Sequence, residues 1–470
     1  MSIRFVNIDR LTEMLLPVDM REWLPENHLV HFIIDAINEI DMSEFKVNER
    51  GSGDEQYPPD MMLAILVYSY ITKRFGSRTI EAATYTDVAL RYICGNRAHP
   101  DHSVICRFRT RNKKAFEETF TKILLLARQM GKLKQKGGAS VDGTKIHANA
   151  SKHKAVSYKR AGEIIEELRG EVNQLIQLAE EADGQVLEEG LIIEDEIQRR
   201  EDRVAALQKA RVEMEQMYKE AAEEGTKKGK KLDEYQHNFS DGDSRIMKAG
   251  NGKHFEQSYN TQAAVDTEGS MLILGGYVTQ HGNDKQELKE IVDSIPEEVR
   301  ELENVSADNG FYNEQQIAAV EKVNEDGIRE GPEVFCATGK GKHGKTVEDL
   351  KKKSPEEVSE KASTTAEGAS TTVEGASATN EEASPTVKSA KEKMADKLKT
   401  AEGKAIYKKR KETVEPVFGI IKNVMGFRQF MLRGKEKVNT EWTLVRIAYN
   451  IKRLHILLGG IRLSKCLSNG

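Results

Sequence analysis

Apolar residues recur at helical spacing through the first part of the chain. The clearest runs are LVHFIIDAI and MMLAILVYSYI, and turn-forming stretches such as GNRAHPDH follow them. This pattern predicts an all-α domain over residues 1–136. The longest apolar run, from Met61 to Ile71, is well short of the roughly 20 residues that a membrane span needs. We therefore expect a buried helix there and no membrane association.

The pattern changes after Ala139 to short runs that are typical of strands. These runs are ASVDGTKI, YNTQAAV, MLILGGYV and ENVSAD, and the helical stretch DKQELKEIVDSI lies between the last two. Strands with an intervening helix predict a mixed α/β sheet. We expect its first parts in residues 137–154 and 241–345, and its basic C-terminal part in residues 404–470.

Residues 155–240 interrupt the sheet and are rich in Glu, Lys and Gln, with apolar residues at heptad-like spacing. A break at Ala182-Asp183-Gly184 separates two such series, which predicts an antiparallel helical hairpin. The series are Ile164, Leu168, Val172 and Leu175 before the break, and Ile193, Ile197, Val204, Leu207, Met214 and Tyr218 after it. This composition is typical of a solvated structural arm. An arm that mediates dimerisation or clamps DNA is the alternative.

Residues 346–403 form a second interruption, which contains a degenerate seven-residue repeat. Ser363 to Ala369 is STTAEGA and Ser370 to Ala376 is STTVEGA, and SATNEEA and SPTVKSA follow. Because the tract has almost no large apolar side chains, it cannot bury enough surface to offset its ordering entropy. We expect a disordered low-complexity linker.

Two basic segments are hidden in the total charge. The net charge of −5 is unlike that of a nucleic-acid-binding protein. Residues 107–136 nevertheless carry a net charge of +8 and residues 404–470 one of +11, and the acidic hairpin and repeat tract offset them. Clustered positive charge is the electrostatic footprint of proteins that bind phosphate backbones. A solvated basic surface would have the same composition.

Four cysteines in 470 residues are too few for a secreted disulfide framework, and the first residues lack a basic and apolar signal peptide. We therefore expect a cytoplasmic protein. One alternative metal site is a tetrahedral Zn²⁺ site formed by Cys94, His99, His102 and Cys106, although this spacing is not a usual finger pattern. Cys336 and His343 are predicted to be ordinary residues of a strand and a loop.

Three acidic residues stand where metal-dependent phosphoryl transfer would need them. Asp142 follows the apolar run ASV and Asp308 follows VSA, so each is predicted at or near a strand end. Glu415 lies among lysines on the polar face of a predicted helix. Such oxygen ligands hold two Mg²⁺ ions about 3.5–4 Å apart in phosphoryl-transfer sites. Taken singly, the DG and DNG sequences are also ordinary turns.

Several stretches together resemble the bacterial insertion-sequence transposases of the DDE class. They include VDGTKIHANASKHK around Asp142, YNTQAAVD, SADNGFYNE around Asp308, TVEPVFGIIKNVMGFRQFMLRGKEKV around Glu415 and WTLVRIAYNIKRL. At the front, YPPDMMLAILVYSY and PDHSVICRFR resemble the helical N-terminal domain of that group. The likeness covers nearly the whole chain apart from the repeat tract.

The resemblance implies a ribonuclease-H-like mixed sheet with an all-α N-terminal domain, into which the helical hairpin is inserted. It places Asp142 on the first strand, Asp308 after the fourth and Glu415 on a late helix, as catalytic residues and as ligands of two Mg²⁺ or Mn²⁺ ions. Glu412 and Glu441 are less suitable than Glu415, because neither has Lys422 two turns away on its own face. The implied reaction is cleavage and joining of DNA.

Related transposases also carry a Tyr, Arg, Glu, Lys signature on the last helix. Glu415 and Lys422 match its spacing. Four residues separate Arg410 from Glu415 where the pattern has three, so Lys411 takes the register one turn before Glu415. The residues expected to bind DNA are Lys422, Lys411, Arg410, Tyr407, Arg107 and Arg109.

We expect the partners to be the inverted-repeat ends of the element, target DNA and a second copy in a homodimer, with association to the nucleoid during action. Two alternative functions stay open. One is a non-catalytic DNA-binding regulator derived from a transposase, and the other is a ribonuclease-H-like nuclease that does not join strands.

Overall fold

The computed structural model describes residues 19–47, 56–95, 99–182, 193–223, 231–249, 254–324, 328–339 and 389–467. Its N-terminal part contains α1 (Leu29–Asn38), α2 (Pro59–Ile71), α3 (Ser77–Thr86), α4 (Val88–Cys94), α5 (His102–Arg111) and α6 (Lys113–Gln129). Asp87 and Asp101 begin α4 and α5, since their carboxylates accept hydrogen bonds from the first backbone N–H groups, which have no helical partner. In α2 every residue from Met62 to Ile71 is buried. This confirms the predicted core helix.

Eight strands follow in the described part of the chain. They are β1 (Lys136–His147), β2 (Ala155–Ser157), β3 (Gln236–Asn238), β4 (Arg245–Ala249), β5 (His254–Asp266), β6 (Ile273–Thr279), β7 (Glu301–Ala307) and β8 (Glu333–Cys336). β1 lies between β5 and β7. β5 runs antiparallel to β1 and β6, whereas β7 and β8 are parallel to β1. The fold is thus mixed α/β, and this order is the one expected of a ribonuclease-H-like sheet.

The inserted segment forms the predicted hairpin. Its helices are α7 (Tyr158–Ala182) and α8 (Ile193–Glu223), and β2 pairs antiparallel with β3 to close its base. The helices are antiparallel, because Tyr158 contacts Glu215 whereas Glu171, further along α7, contacts Arg200. Leu168, Leu207 and Met214 are buried in a separate hydrophobic cluster between the helices. Most of the predicted break lies outside the described residues.

The remaining helices pack on the sheet and on the N-terminal helices. They are α9 (Leu288–Asp293), α10 (Glu314–Glu321), α11 (Ala390–Lys397), α12 (Ala401–Gly419), α13 (Lys435–Leu457) and α14 (Leu463–Leu467), and a π-helical segment (Ile420–Val424) extends α12. The repeats lie outside the described residues except for Ser389 and Ala390, which end the fourth one. The predicted end of the linker at residue 403 is too late, because Ser389 and Glu392 form a capping box that begins α11.

A buried polar network joins the N-terminal helices to α13. The hydroxyl of Tyr70 donates a hydrogen bond of 2.7 Å to Glu441 Oε1, and Arg109 Nη1 donates one of 2.9 Å to the Tyr70 oxygen. Arg109 also lies 3.8 Å from Glu441, whose other oxygen accepts hydrogen bonds from the N–H groups of Met431 and Leu432. Burial raises the pKa of Glu441, and the Arg109 charge opposes that rise.

The division of the chain into separate domains stays a prediction.

Replacement of Arg109 by methionine should destabilise the fold strongly. The change leaves the Glu441 carboxylate buried without its cation, which costs about 3–5 kcal/mol for such pairs. Lys113→Met is the matched control, because Lys113 pairs with Glu436 at the surface, where such a pair contributes at most about 1 kcal/mol. The free energy of unfolding in urea measures both variants. Equal losses in the two variants would contradict the structural role of the buried pair.

Candidate active site

Asp142 and Asp308 are brought together by the parallel pairing of β1 with β7. Ser140 is paired with Ser306, and their hydroxyl oxygens are 2.8 Å apart. Side chains two residues apart in a strand point to the same face. Asp142 lies two residues beyond this pair in the middle of β1, and Asp308 lies two residues beyond it, directly after β7 ends at Ala307. Neighbouring strands are typically about 4.8 Å apart. The two carboxylates are therefore close enough for the Asp308 charge to raise the pKa of Asp142, and Asp142 is not at the strand end that the sequence predicts.

Asp308 also shapes the turn that follows β7. Its Oδ1 accepts a hydrogen bond of 2.7 Å from the N–H of Gly310, which begins the 3₁₀ turn Asn309–Phe311. The thiol of Cys336, at the end of β8, donates to the backbone oxygen of Asp308 at 3.0 Å. Cys336 is thus a buried strand residue that supports this turn, and the turn holds the aspartate in place.

The surroundings of the Asp142 carboxyl group disfavour its charged form. Burial raises its pKa to about 7. The Arg410 guanidinium lowers this pKa, whereas the neighbouring charges of Asp308 and Asp284 raise it further. A site that collects several carboxylates in this way favours a bound cation.

Arg410 supplies a cation between two of the predicted catalytic residues. It projects from α12, which packs against β1, β5, β7 and β8. Its Nη2 donates a hydrogen bond of 2.8 Å to Glu415 Oε1, and its Nη1 lies 3.7 Å from Asp142 Oδ2. The Arg410 side chain is 9% exposed and that of Glu415 is 46% exposed. Arg410 thereby connects the carboxylates of α12 and β1.

The structure distinguishes Arg410 from Lys411, which the sequence register favours. Arg410 is buried, and its guanidinium carbon lies 5.9 Å from the centre of the Tyr407 ring. Burial raises the pKa of Tyr407, and the Arg410 charge opposes this rise. Lys411 is exposed. The long side chain of Arg410 reaches Glu415, although one more residue separates the two than in the signature.

Lys422 reaches the same region from the π-helical segment. Its ammonium group donates hydrogen bonds to Thr144 Oγ1 at 2.5 Å and to the backbone oxygen of Lys145 at 2.9 Å. Burial lowers the pKa of Lys422, and the negative charge of Asp142 counteracts this shift. Lys422 therefore places a cation two residues along β1 from Asp142.

Asp284 is a site residue that sequence reasoning missed. Its Oδ1 accepts hydrogen bonds of 2.7 Å from the amide groups of Asn260 and Gln262 on β5. A side chain at Gly143 would overlap this carboxylate and the Gln262 amide. Asp284 thus lies against the backbone beside Asp142. The only signal in the sequence is a polar turn, HGND, after the β6 run, and nothing in it indicates contact with β1.

Comparison with known protein families gives two matches. Residues 344–455 match the Transposase DDE domain, and residues 18–111 match a second transposase domain, DUF772. The two matches indicate an insertion-sequence DDE transposase. Tyr407, Arg410, Glu415 and Lys422 lie within the first matched range. No curated protein and no solved structure matches the chain.

Transposases act on DNA, and those of the DDE family generally use divalent metal ions. In the described residues of this transposase, no three His, Cys, Asp or Glu side chains converge as metal ligands, and the Glu415 carboxylate is instead bonded to Arg410.

The four residues of the predicted zinc alternative do not converge as metal ligands either. His102 is hydrogen-bonded to Glu81 at 2.9 Å, and the His99 ring packs against the Tyr85 ring with 4.0 Å between the ring centres. No helix among the described residues is long and apolar enough to cross a membrane.

The two arginines expected to bind DNA near the N terminus of the transposase lie in different environments. Arg107 is exposed on α5. Arg109 is 2% exposed and is enclosed by Tyr70, Phe75 and Glu441. A guanidinium with these partners stabilises the packing of α2, α5 and α13 and does not reach a phosphate. The expectation for Arg109 is therefore corrected.

Replacement of Gly143 by alanine should disturb this site. The added methyl group would overlap the Asp284 carboxylate and the Gln262 amide, and overpacking of this kind costs about 1–3 kcal/mol. We expect a lower free energy of unfolding and slower metal-dependent DNA cleavage. Gly282→Ala is the control, since nothing lies within 4 Å of the position its methyl group would take. Thermal unfolding and a cleavage assay test both variants, and a fully active Gly143→Ala variant would contradict the described packing.

Proposed function

We propose that the transposase cleaves and joins DNA strands at the ends of an insertion sequence, with Asp142, Asp308 and Glu415 as the catalytic residues. The observation that carries the proposal is the arrangement of the three acids. One lies on β1, the second directly follows the paired strand β7, and the third lies on α12 and is connected to Asp142 through Arg410. Each comes from a different element of the fold.

The residues present fit the divalent ions that this proposal requires. Carboxylate oxygens are the ligands that Mg²⁺ and Mn²⁺ prefer. The Arg410 guanidinium stands between Asp142 and Glu415 and is a stand-in for positive charge at this place. Asp142, Asp308 and Glu415 would hold two Mg²⁺ or Mn²⁺ ions. When bound, such ions activate the attacking oxygen of a phosphodiester reaction and stabilise the leaving one.

Other side chains of the chain bind and orient the DNA in this proposal. Lys422 presents its ammonium group beside Thr144, near the carboxylates, where a phosphate oxygen would be neutralised. Tyr407 supports the guanidinium of Arg410 from one side. With ions held by these carboxylates, Arg410 would be free to pair with a phosphate of the DNA. Lys411 and Arg107 are exposed and contribute to the outer basic surface.

The alternatives predict different products. A ribonuclease-H-like nuclease would cleave DNA and join nothing, and a DNA-binding regulator would do neither. The three acids favour catalysis, because a regulator has no need for carboxylates that repel both one another and DNA. Synapsis of two DNA ends requires two sites, so we expect a homodimer. Imperfect inverted repeats around the coding region would favour an active element.

Removal of one catalytic carboxylate should abolish cleavage. We expect Asp142→Asn, Asp308→Asn and Glu415→Gln to reduce strand cleavage and joining by at least about a thousandfold, since each removes a charged ligand of the ions. DNA binding without metal should be retained. The assay uses Mg²⁺ and DNA fragments that flank the coding region.

Glu412→Gln is the matched control for these variants, because Glu412 lies on the same helix but is exposed and paired with Lys408. It should retain wild-type activity. Wild-type activity of Glu415→Gln would exclude Glu415 as a catalytic residue. Cleavage without joining by the unmodified protein would favour the nuclease.

Arg410→Gln should strengthen the binding of divalent ions to the free protein. The substitution removes a cation that occupies the space between Asp142 and Glu415, and we expect about tenfold tighter Mn²⁺ binding by calorimetry. Lys404→Gln is the control, since it removes one positive charge from an exposed position of the same helix. Weaker Mn²⁺ binding by Arg410→Gln would mean that Arg410 supports the ligands and does not compete with ions.

A further inference from the structure

A groove of about 840 Å³ lies where the hairpin joins the sheet. Its walls come from the chain after β1, from α7 and α8, and from β4 and β5. Three large apolar side chains line it and remain accessible, since Phe239 is 48%, Ile246 37% and Phe255 50% exposed. An accessible apolar cluster in a concave surface is typical of a binding site.

The rim of this groove is cationic. Lys152, Lys154 and Arg203 line it, and no described Asp or Glu does. Lys152 forms an ion pair with Glu256 at 3.5 Å, but Lys154 and Arg203 form no ion pair with another described residue. The ammonium group of Lys248 adds positive charge 6.0 Å from the centre of the Phe255 ring. Aromatic rings in one groove with cations that have no described ion-pair partner suit a ligand with flat bases and anionic groups.

A row of cations connects the candidate active site to the groove. Each of them contacts or lies on the segment from Thr144 of β1 to Lys152, and the row ends at the groove. In order, they are Lys422 bonded to Thr144, Arg428 whose backbone oxygen accepts from the His147 N–H, Arg433 bonded to the Asn149 oxygen, and Lys152 on the groove rim. A phosphate backbone that leaves the catalytic carboxylates can follow this row.

The size of the groove and its aromatic rings favour unpaired nucleotides over a duplex. A volume of about 840 Å³ accommodates a few nucleotides and is in the range of small-molecule sites. Bases within a duplex stack on one another, so only unpaired bases offer a free face to an aromatic side chain. We propose that this groove binds unpaired nucleotides of the DNA that the transposase processes, with bases on Phe239 and Phe255 and phosphates on the cationic rim. The inference rests on the proposed function for the identity of the DNA.

The register of the sheet gives the distance from the catalytic centre. Asp142 is opposite Ala263 on β5, and Phe255 lies eight residues before Ala263 on that strand. At about 3.3 Å per residue, the groove is about 26 Å from Asp142. One strand of a duplex advances 3.4 Å per nucleotide. The unpaired nucleotides therefore lie within about eight nucleotides of the phosphate that is cleaved.

The test compares two DNA probes without divalent metal, so that binding does not depend on catalysis. One probe is a blunt duplex from the DNA that flanks the coding region, and the other carries a short unpaired tail. We expect the wild-type protein to bind the tailed probe more tightly by fluorescence anisotropy. Phe239→Ala together with Phe255→Ala should weaken binding of the tailed probe about tenfold or more and leave the blunt probe unchanged.

Three further variants identify the cause of the effect. Phe239→Tyr with Phe255→Tyr keeps the ring faces and should retain the preference for the tail. Lys154→Gln with Arg203→Gln should reduce the salt dependence of tail binding, by about 0.7 in the logarithmic slope for each lost phosphate contact. Val212→Ala is the control, since Val212 is 63% exposed on α8 but does not line the groove.

The outcomes separate this proposal from the proposed function. A tail preference that the alanine variant loses supports the groove even if the wild-type protein fails to cleave DNA. If the wild-type protein cleaves and joins DNA but the alanine variant binds both probes like wild type, the groove proposal is overturned. A change in oligomeric mass of the alanine variant, with unchanged DNA binding, would overturn it in favour of a second copy of the chain as the occupant.

Discussion

The parallel pairing of β1 with β7 is the constraint on which the candidate site depends. It fixes Ser140 against Ser306 and so brings Asp142 on β1 near Asp308 after β7. These residues are far apart in the chain, and the pairing positions them because strand register is set by backbone hydrogen bonds over several residues. The antiparallel β5 then supports β1 from its other side and holds Asp284 next to Gly143.

The carboxylates collected in this way repel one another, and the structure compensates with cations. Burial and neighbouring acids raise the pKa of Asp142 to about 7, and Arg410 counteracts them. The same cation is hydrogen-bonded to Glu415, so that α12 and β1 are joined by charge as well as by packing. A site built on this balance responds to any other cation that enters it. This balance is the physical basis of the metal-dependent chemistry that we propose.

Local patterns in the sequence were sufficient for the strands that carry Asp142 and Asp308 and for the helical hairpin, because the periodicity of apolar residues reports burial directly. They failed where long-range contacts decide. Arg109 contributes to a basic count in the sequence but is buried by Tyr70 and Glu441. Asp284 is held at the site by hydrogen bonds from side chains of β5, and no local pattern in the sequence predicts these bonds. The choice of Arg410 over Lys411 depends on how α12 packs on the sheet.

The proposed mechanism requires that Asp142, Asp308 and Glu415 form a single site for divalent ions. Anomalous diffraction from crystals of the full chain with Mn²⁺ and DNA tests it most directly. We expect two Mn²⁺ peaks about 3.5–4 Å apart among these three carboxylates, with the Arg410 guanidinium moved from its place between Asp142 and Glu415. Mn²⁺ bound elsewhere, with the Arg410 bond to Glu415 intact, would contradict the claim.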